Sequence, residues 1–293
     1  MSDESRIPAW AVAPARRPRA IVLDRRKGED PLDGELMETI ASQLDVVEQG
    51  AELQQPEMLD EVDLIVVLGG DGSILRAAQQ MGTRQRPVIG INLGRLGFLA
   101  AISPGEVESA LASIVSGDCV ITSHLMLKCS LIRDGKVESE QLGLNEAAIR
   151  VGNPFSLLDI DLYVDSKLAT TYSCDGLIIS TPVGSTAHSL SAGGPILRKT
   201  MQAFVIAAIS PHTLTVRPVV DSAERVFEMR VRTADVVASL VVDGQQLACL
   251  SPDDRVRIER ASESFQIIEV ADRDDYQILR EKLDWGGRIR HKK

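Results

Sequence analysis

Two kinds of hydrophobic pattern divide this chain. In the first part, "RAIVL" (Arg19 to Leu23), "VDLIVVL" (Val62 to Leu68) and "PVIGIN" (Pro87 to Asn92) are unbroken and largely β-branched. Such runs predict strands covered on both faces. Between them the apolar residues take helical spacing. "GELMETIASQL" after Gly34 and "GEVESALASIV" (Gly105 to Val115) read as helices. Ile74, Ala77, Ala78 and Met81 recur at i, i+3, i+4 and i+7, which predicts a helix from near Ser73 with Ser73 as its N-cap. Strand alternating with helix predicts a doubly wound, mostly parallel sheet, the α/β class.

The pattern changes near His124. "LKCSLIRDGKVESEQLGLNEAAIRV" holds two strand-like runs about Asp134-Gly135, a hairpin signal. "LDIDLYVD" places Leu158, Ile160, Leu162 and Val164 on one face and Asp159, Asp161, Tyr163 and Asp165 on the other. Antiparallel sheet with one wet face has this alternation. "GLIIST", "FVIAAIS", "RVFEMRVR", "VVASLVVDGQQL", "RVRIERA" and "SFQIIEV" continue the series. The expected organisation is an α/β domain over residues 1–124 and an all-β, antiparallel, sandwich-like domain over 125–270. The tail "DDYQILREKLDWGG" returns to helical spacing. A lone helix has little stability in water, so residues 271–293 are expected to pack back onto the first domain.

Composition narrows the function classes. Apolar residues make up 44% and charged residues 25% of the 293, as in ordinary globular proteins. Apolar runs fall short of the roughly 18 residues of a membrane span. The opening "MSDESRIPAWAVAPARRPRA" has early acidic residues and no apolar core, so it reads as a Pro- and Arg-rich lead-in, not a secretory signal. Cys119, Cys129, Cys174 and Cys249 are scattered without C-x-x-C spacing, which favours reduced thiols and a cytoplasmic location. A net charge of −10 opposes nucleic-acid or anionic-membrane binding, while leaving room for a local basic pocket. The four histidines lack H-E-x-x-H or similar spacing, so no protein-built metal site is assigned.

Candidate chemistry begins where "VDLIVVL" stops at Gly69-Gly70-Asp71-Gly72. A glycine-rich turn between strand and helix cradles phosphate through backbone N–H groups, and carboxyl ends of parallel strands are where α/β sheets bind ligands. Asp71 sits awkwardly there unless a cation, or a proton to be taken, makes it useful. A tight turn in which Asp71 caps the helix fits the same residues. "GINLGRLGFLA" follows the next strand, and its Phe98 is either a ligand contact or a core plug. Asn145-Glu146, at the head of an apolar strand, pair an amide with a carboxylate that can hold two neighbouring hydroxyls; an exposed strand end is the plainer reading. "CDGLIISTPVGSTAHSLSAGGPIL" (Cys174 to Leu197) leads from a buried strand into a stretch that concentrates Thr181, Ser185, Thr186, Ser189 and Ser191 with three glycines, and Asp175 precedes the strand. Leu190, Ile196 and Leu197 interleave with the polar residues, which favours an ordered polar cradle over a linker. "SPHTLTVRPVV" and "VVDGQQL" (Asp243, Gly244, Gln245) complete the set. Neither G-x-S-x-G nor a Walker A lysine is present, which disfavours serine hydrolase and P-loop chemistry.

Taken in order, "GGDGS", "GINLGRLGFL", "NEAAI", "DGLIISTPVGSTAHSLSAGGPI", "PHTLTVRPVV" and "VDGQ" resemble the NAD kinase family, bacterial type, from about Arg19 onward. The first motif is shared with diacylglycerol, sphingosine and 6-phosphofructokinase-type kinases; the long S-T-P-x-G-S-T-A motif is far more specific. The resemblance implies transfer of the ATP γ-phosphate to the 2′-hydroxyl of the adenosine ribose of NAD, giving NADP, with a divalent cation such as Mg2+ brought by ATP. It also implies two domains and a homo-oligomer, dimer or tetramer. By the same resemblance, Asp71 is the catalytic base and Gly72 offers its backbone N–H. Phe98 lies near the nucleotide, and Asn145 and Glu146 hold ribose hydroxyls. Asp175 faces the nicotinamide-side or adenine-side pocket. Thr186, Ala187, His188, Ser189, Leu190 and Ser191 line the adenosine, and Gln245 closes the site.

Two departures stand out. His188 occupies the place of the family's usual tyrosine, and imidazole is smaller and titrates near neutral pH. Ser173 stands where many members carry arginine, so phosphate charge is expected from Arg95 or Arg217. Two competing functions share these motifs: a lipid kinase of the diacylglycerol or sphingosine type, and a nucleotide-sensing binding protein on the same fold.

Overall fold

In the computed structural model, which describes residues 16–24, 32–94, 97–100, 102–152, 157–233, 237–270, 275–283 and 285–286, the unbroken apolar runs become parallel strands. The lead-in up to residue 15 and Arg95 lie outside the described residues. The chain folds as two compact units: Met1–Ala77, Arg86–Thr122 and Gln266–Lys293 form one, Ala78–Gln85 and Ser123–Phe265 the other.

The first unit is built on β1 (Arg19–Asp24), β2 (Asp45–Gly50), β3 (Leu64–Leu68) and β4 (Val88–Ile91), all parallel in the order β2-β1-β3-β4. Three helices connect them: α1 (Leu32–Gln43), α2 (Asp71–Met81) and, after β4, α3 (Val107–Ser116). Strand residues pointing one way, Ala20, Val22, Leu64, Val66, Ile89 and Ile91, cluster with Ile40 at α1 and Val107, Leu111 and Ile114 of α3. The other face meets α2, where a Cβ at Gly90 would lie 2.7 Å from the Ile74 methyl. Helices on both faces make the sheet doubly wound, and period-2 burial on both sides explains why these strands read as continuous apolar runs. The end of the last strand, β16 (Arg255–Glu269), joins this sheet with Ile267 parallel to Val88. The C-terminal helix α5 (Asp275–Leu283) belongs to this unit, with Tyr276 and Trp285 stacked at 6.0 Å and both about half exposed.

The second unit is antiparallel. One sheet runs β12-β11-β10-β7-β14-β15, from strands Val219–Ser222, Ala203–Ile209, Gly176–Ser180, Glu146–Val151, Ala238–Val242 and Gln245–Leu250. The other contains β13 (Phe227–Val231) between β16 and β8 (Leu158–Val164), with β9 (Lys167–Cys174) beyond and the hairpin of β5 (Val120–Arg133) and β6 (Lys136–Gly143). Their inner faces share one core containing Leu127, Ile149, Ile160, Leu177, Ile179, Leu240 and Ile258. Phe204 of β11 meets Phe227 of β13 edge to face, centroids 5.9 Å apart and planes at 89°, so the two sheets are joined by an aromatic pair. Full burial of such a ring contributes about 1.5–3 kcal/mol, and the pair geometry about 0.5–1.5 more. This is the expected sandwich. The hairpin turn expected at Asp134-Gly135 has φ of 51° and 74°, and Asp243-Gly244 repeats it with 46° and 77° between β14 and β15. Both central residues take positive φ, as the two-residue turn matched to strand twist requires.

One local expectation is corrected. Ser73 is not the N-cap: α2 begins at Asp71, and the Gly70 carbonyl already accepts from Ser73 N (2.9 Å) and Ile74 N (3.4 Å). The turn is tighter than the apolar spacing alone shows, so the helix starts two residues earlier. Among the described residues, no helix is long and apolar enough to cross a membrane.

Candidate functional site

In the first unit, Asp71 stands at the carboxyl end of β3, on the first turn of α2. Its carboxylate does not cap that helix. Oδ2 accepts from Phe98 N (2.7 Å), and Oδ1 accepts from Leu99 N (2.9 Å) and Ala100 N (3.1 Å). The side chain thus reaches across to the loop after β4 and gathers three successive amides. That loop can come so close only because residue 97 is glycine: a Cβ there would lie 1.9 Å from Asp71 Oδ1. A carboxylate has about four lone-pair positions, so three amides leave one direction for a further donor. Gly72, next to it, is exposed, and a Cβ there would meet nothing within 4 Å. Its N–H belongs to the first turn, where helical amides have no intrahelical partner. Phe98 is half-buried, while Leu99 is 4% exposed; Leu99 fills the core-plug role and leaves the Phe98 ring at the surface. Lys282 of α5 lies 5.7 Å from the Phe98 ring centroid.

In the second unit, the backbone of Leu144, Asn145 and Glu146 is held from two sides. The Asp243 carboxylate accepts from Leu144 N (2.7 Å), Asn145 N (2.7 Å) and Glu146 N (3.0 Å). From β10 and its continuation, Thr181 Oγ1 donates to Leu144 O (2.5 Å), Thr181 N to Asn145 O (2.8 Å) and Ser180 Oγ to Asn145 O (3.2 Å). Asp243 N closes the set by donating to Glu146 O (3.0 Å). Gly184 completes the packing, since a Cβ there would sit 2.2 Å from Asn145 O. Only the two side chains remain uncommitted. Asn145 is half-buried; Glu146 is 8% exposed, and its Oε2 is buried without a hydrogen-bond partner among the described residues. Burial, and secondly the charge of Asp243, push Glu146 up to about 8. Asp243 is itself pushed up by burial, against the pull of its three amides.

The Thr181–Ser191 stretch is ordered, in a 3-10 turn (Gly184–Thr186) and one helical turn, α4 (His188–Ser191). Its hydroxyls divide into two groups. Thr181 and Ser185 serve the backbone, Ser185 Oγ donating to Pro182 O (2.6 Å) and accepting from Leu197 N (3.0 Å). Thr186 is half-buried, Ser191 is exposed, and Ser189 Oγ is buried without a partner among the described residues. Ala187 and Leu190 are half-buried between them. His188 is half-buried, and burial, then the charge of Arg150, lower its pKa, so the imidazole is neutral at pH 7. Asp175 is half-buried with its backbone tied to Ile209 O and Val151 N, both 2.9 Å. Gln245 is exposed at the head of β15. Ser173 Oγ bonds Asp159, so this position faces a carboxylate where the family's arginine would carry positive charge. Arg217 binds the carbonyls of its own loop, Leu214 O (2.9 Å) and Val216 O (2.7 Å).

Sequence reasoning named Asp243 only as part of a turn and Thr181 only as one hydroxyl of many. The structure gives both a defined partner, the Leu144–Glu146 backbone. The Asp-Gly pair signalled the turn, but nothing in the local pattern signals what its carboxylate reaches.

An aspartate gathering amides beside an open glycine turn, and an amide–carboxylate pair on a fixed backbone beside a hydroxyl-rich cradle, make a nucleotide-handling protein of α/β-plus-sandwich class. Residues 26–119 match the family pattern of the ATP-NAD kinase N-terminal domain, and residues 144–270 that of the ATP-NAD kinase C-terminal domain. The NAD kinase of Rhodopirellula baltica is 54% identical over 254 residues, covering 87% of this chain and 82% of that one. The chain belongs to the ATP-NAD kinase family. Among solved structures, an NAD kinase from Archaeoglobus fulgidus in complex with ATP superposes with a TM-score of 0.74 at 30% identity, covering 92% of this chain and all of that one (100%). Yeast NADH kinase complexed with NADH shares the fold, with a TM-score of 0.85 at 21% identity over 100% of this chain and 96% of that one. The lipid-kinase alternative is not favoured.

Proposed function

We propose that this protein transfers the γ-phosphate of ATP to the 2′-hydroxyl of the adenosine ribose of NAD, giving NADP and ADP. The observation that carries the reading is Asp71: a carboxylate fixed by three amides at the end of a parallel strand, beside an open glycine, in a chain of this family. The acceptor hydroxyl hydrogen-bonds to Asp71 along its remaining lone-pair direction. As the new O–P bond forms and the bond to the ADP oxygen breaks, the hydroxyl proton passes to Asp71. Phosphoryl transfer passes through a loose transition state, so a fixed, well-aimed carboxylate matters more than a strongly basic one. Asn145 and Glu146 hold ribose hydroxyls, and Asp175 faces a base. Thr186, Ala187, His188, Ser189, Leu190 and Ser191 line the adenosine, with Ser189 the hydroxyl most in need of a partner. Phe98 and the Gly72 N–H approach the nucleotide, and Gln245 borders it.

Among the described residues, no group of three or more His, Cys, Asp or Glu side chains converges as a metal site. A divalent cation would arrive on the ATP phosphates, as Mg2+ commonly does, and would screen their charge from Asp71. Four unpaired cysteines support a cytoplasmic setting. A homo-oligomer is supported by the resemblance and by the edge strand β12, whose Val219 and Val220 are 47% and 42% exposed.

The test is direct. Folded protein with MgATP and NAD is expected to form NADP, and Asp71→Asn to bind NAD while turning over at least about 100-fold more slowly. Diacylglycerol phosphorylation without NADP formation overturns the reading in favour of a lipid kinase. NAD binding without turnover by the wild type favours a sensor.

A further inference from the structure

Two carboxyl groups meet behind the head of β7, and only one is satisfied. Asp243 spends its oxygens on the amides of Leu144, Asn145 and Glu146. Glu146, whose amide is one of the three, turns a buried carboxyl oxygen toward no partner among the described residues. All six backbone polar groups of residues 144–146 are used, by Asp243 on one side and Ser180 and Thr181 on the other. The backbone that carries the Asn145 and Glu146 side chains is thus held by a residue about a hundred positions away.

The geometry points to Asp243 as a positioning residue for ligand binding: it clamps the Asn145-Glu146 backbone and so presents Glu146, whose buried carboxyl oxygen has no partner among the described residues, as a hydrogen-bond donor. The inference rests on the nucleotide-binding role proposed above for this pair. The physical ground is that a buried carboxylate must be paired or hydrogen-bonded, or else take up a proton. Three amides favour the charged form of Asp243 against its burial, whereas the buried Glu146 oxygen has no such donor among the described residues. After burial, the charge of Asp243, on the β14–β15 turn, is the second cause that pushes Glu146 upward. The upward displacement of Glu146, to about 8, agrees. A neutral carboxyl presents one O–H donor together with acceptor capacity, whereas a carboxylate only accepts. Beside the Asn145 amide, the pair then offers donors as well as acceptors, the chemistry that fits a vicinal diol whose oxygens must also be satisfied. Ligand affinity is therefore expected to weaken as pH rises through the Glu146 transition.

The experiment uses the full-length protein with NAD as the probe. The wild-type KM for NAD is expected to rise by up to about tenfold per pH unit above about pH 8. Glu146→Gln, a permanently neutral donor, is expected to lose the rise, leaving a KM that no longer depends on pH across that range. Asp243→Asn is expected to raise KM at least about tenfold and to move the inflection toward acid, because it exchanges an acceptor for a donor and removes the charge. A merely structural role for Asp243 moves no pH profile. Independently of any substrate, the 13C titration of the Glu146 carboxyl in wild-type protein is expected to show its midpoint above neutrality. A midpoint near that of an ordinary glutamate overturns the proposal, as does a wild-type KM that stays flat as pH rises above about 8. Failure of the wild type to bind or phosphorylate NAD counts against the proposed function and leaves the carboxyl titration as the deciding readout here.

Discussion

Replacing Gly97 by alanine probes the link between the glycine loop and Asp71. The new methyl would lie 1.9 Å from Oδ1, 2.7 Å from Cγ and 3.0 Å from Oδ2 of Asp71. Ordinary contact begins near about 3.5 Å, so loop or carboxylate must retreat by on the order of 1.5 Å. That retreat breaks the bonds from Phe98, Leu99 and Ala100 amides, at 2.7, 2.9 and 3.1 Å. Hydrogen bonds to a charged group contribute about 1.5–3 kcal/mol each, while overpacking typically costs about 1–3 kcal/mol once the chain relaxes, and relaxation wins in a loop. Unfolding free energy is therefore expected to drop by about 1–3 kcal/mol. Catalysis should suffer more, because a misplacement of about 1 Å can cost on the order of 100-fold. The assay pairs steady-state NADP formation with urea unfolding followed by circular dichroism. Gly94→Ala is the control from the same loop, since a Cβ there meets only Asn92 Oδ1 at 3.9 Å. A Gly97→Ala protein with kcat within threefold of wild type and unchanged stability refutes the claim that this approach positions Asp71.

Three other outcomes follow from the same geometry. Thr181→Val, nearly isosteric, strips the bond to Leu144 O (2.5 Å) and the acceptor of Gly184 N (3.2 Å); it is expected to cost about 1–3 kcal/mol in urea unfolding and to raise the KM for NAD. Ser189→Ala removes a buried hydroxyl with no partner among the described residues, so the ligand-free protein should melt at the same or a higher temperature while NAD binding weakens in calorimetry. Stability should depend on pH through two opposed groups. His124 is pushed down from 6.5 to about 4, by burial first and then by the charge of Lys199. Between those values the folded state holds fewer protons than the unfolded, so this term raises stability as pH rises. Glu146, displaced from 4.5 to about 8, holds more protons when folded, so its stabilisation is full below the lower value and is lost as pH climbs to the upper. The terms compensate in the acid range, and from about pH 6.5 to 8 the Glu146 term lowers stability by up to about 1.4 kcal/mol per pH unit. Urea unfolding across that window should show the fall in wild type and a shallower one in Glu146→Gln.

Much of the architecture can be read from periodicity, because one strong physical signal governs it. A strand buried on both faces, such as Leu64–Leu68, has no room for polar residues, and a half-wet strand such as Leu158–Val164 must alternate. The Asp134-Gly135 hairpin was legible for a similar reason, since few dipeptides take two positive φ values together. The start of α2 was not, because a carbonyl from Gly70, which no side-chain pattern displays, decides it. Within the sites, Asp71 announced itself by incongruity, a charge among glycines. Its amide partners at 98–100 did not, and neither did the grip of Asp243 on residues 144–146, because each joins segments far apart in sequence. Leu99 in place of Phe98 as the buried residue turns on a rotation of a glycine-bounded loop that local composition does not specify.

The central claim is the transfer of a phosphoryl group to one particular hydroxyl. The most direct measurement is two-dimensional 31P–1H NMR of the product formed from MgATP and NAD by the folded protein. The account predicts a new phosphomonoester coupled to the 2′ proton of the adenosine ribose, and its loss in Asp71→Asn. A phosphate on the 3′-hydroxyl or on the nicotinamide ribose, or no phosphomonoester at all, contradicts it.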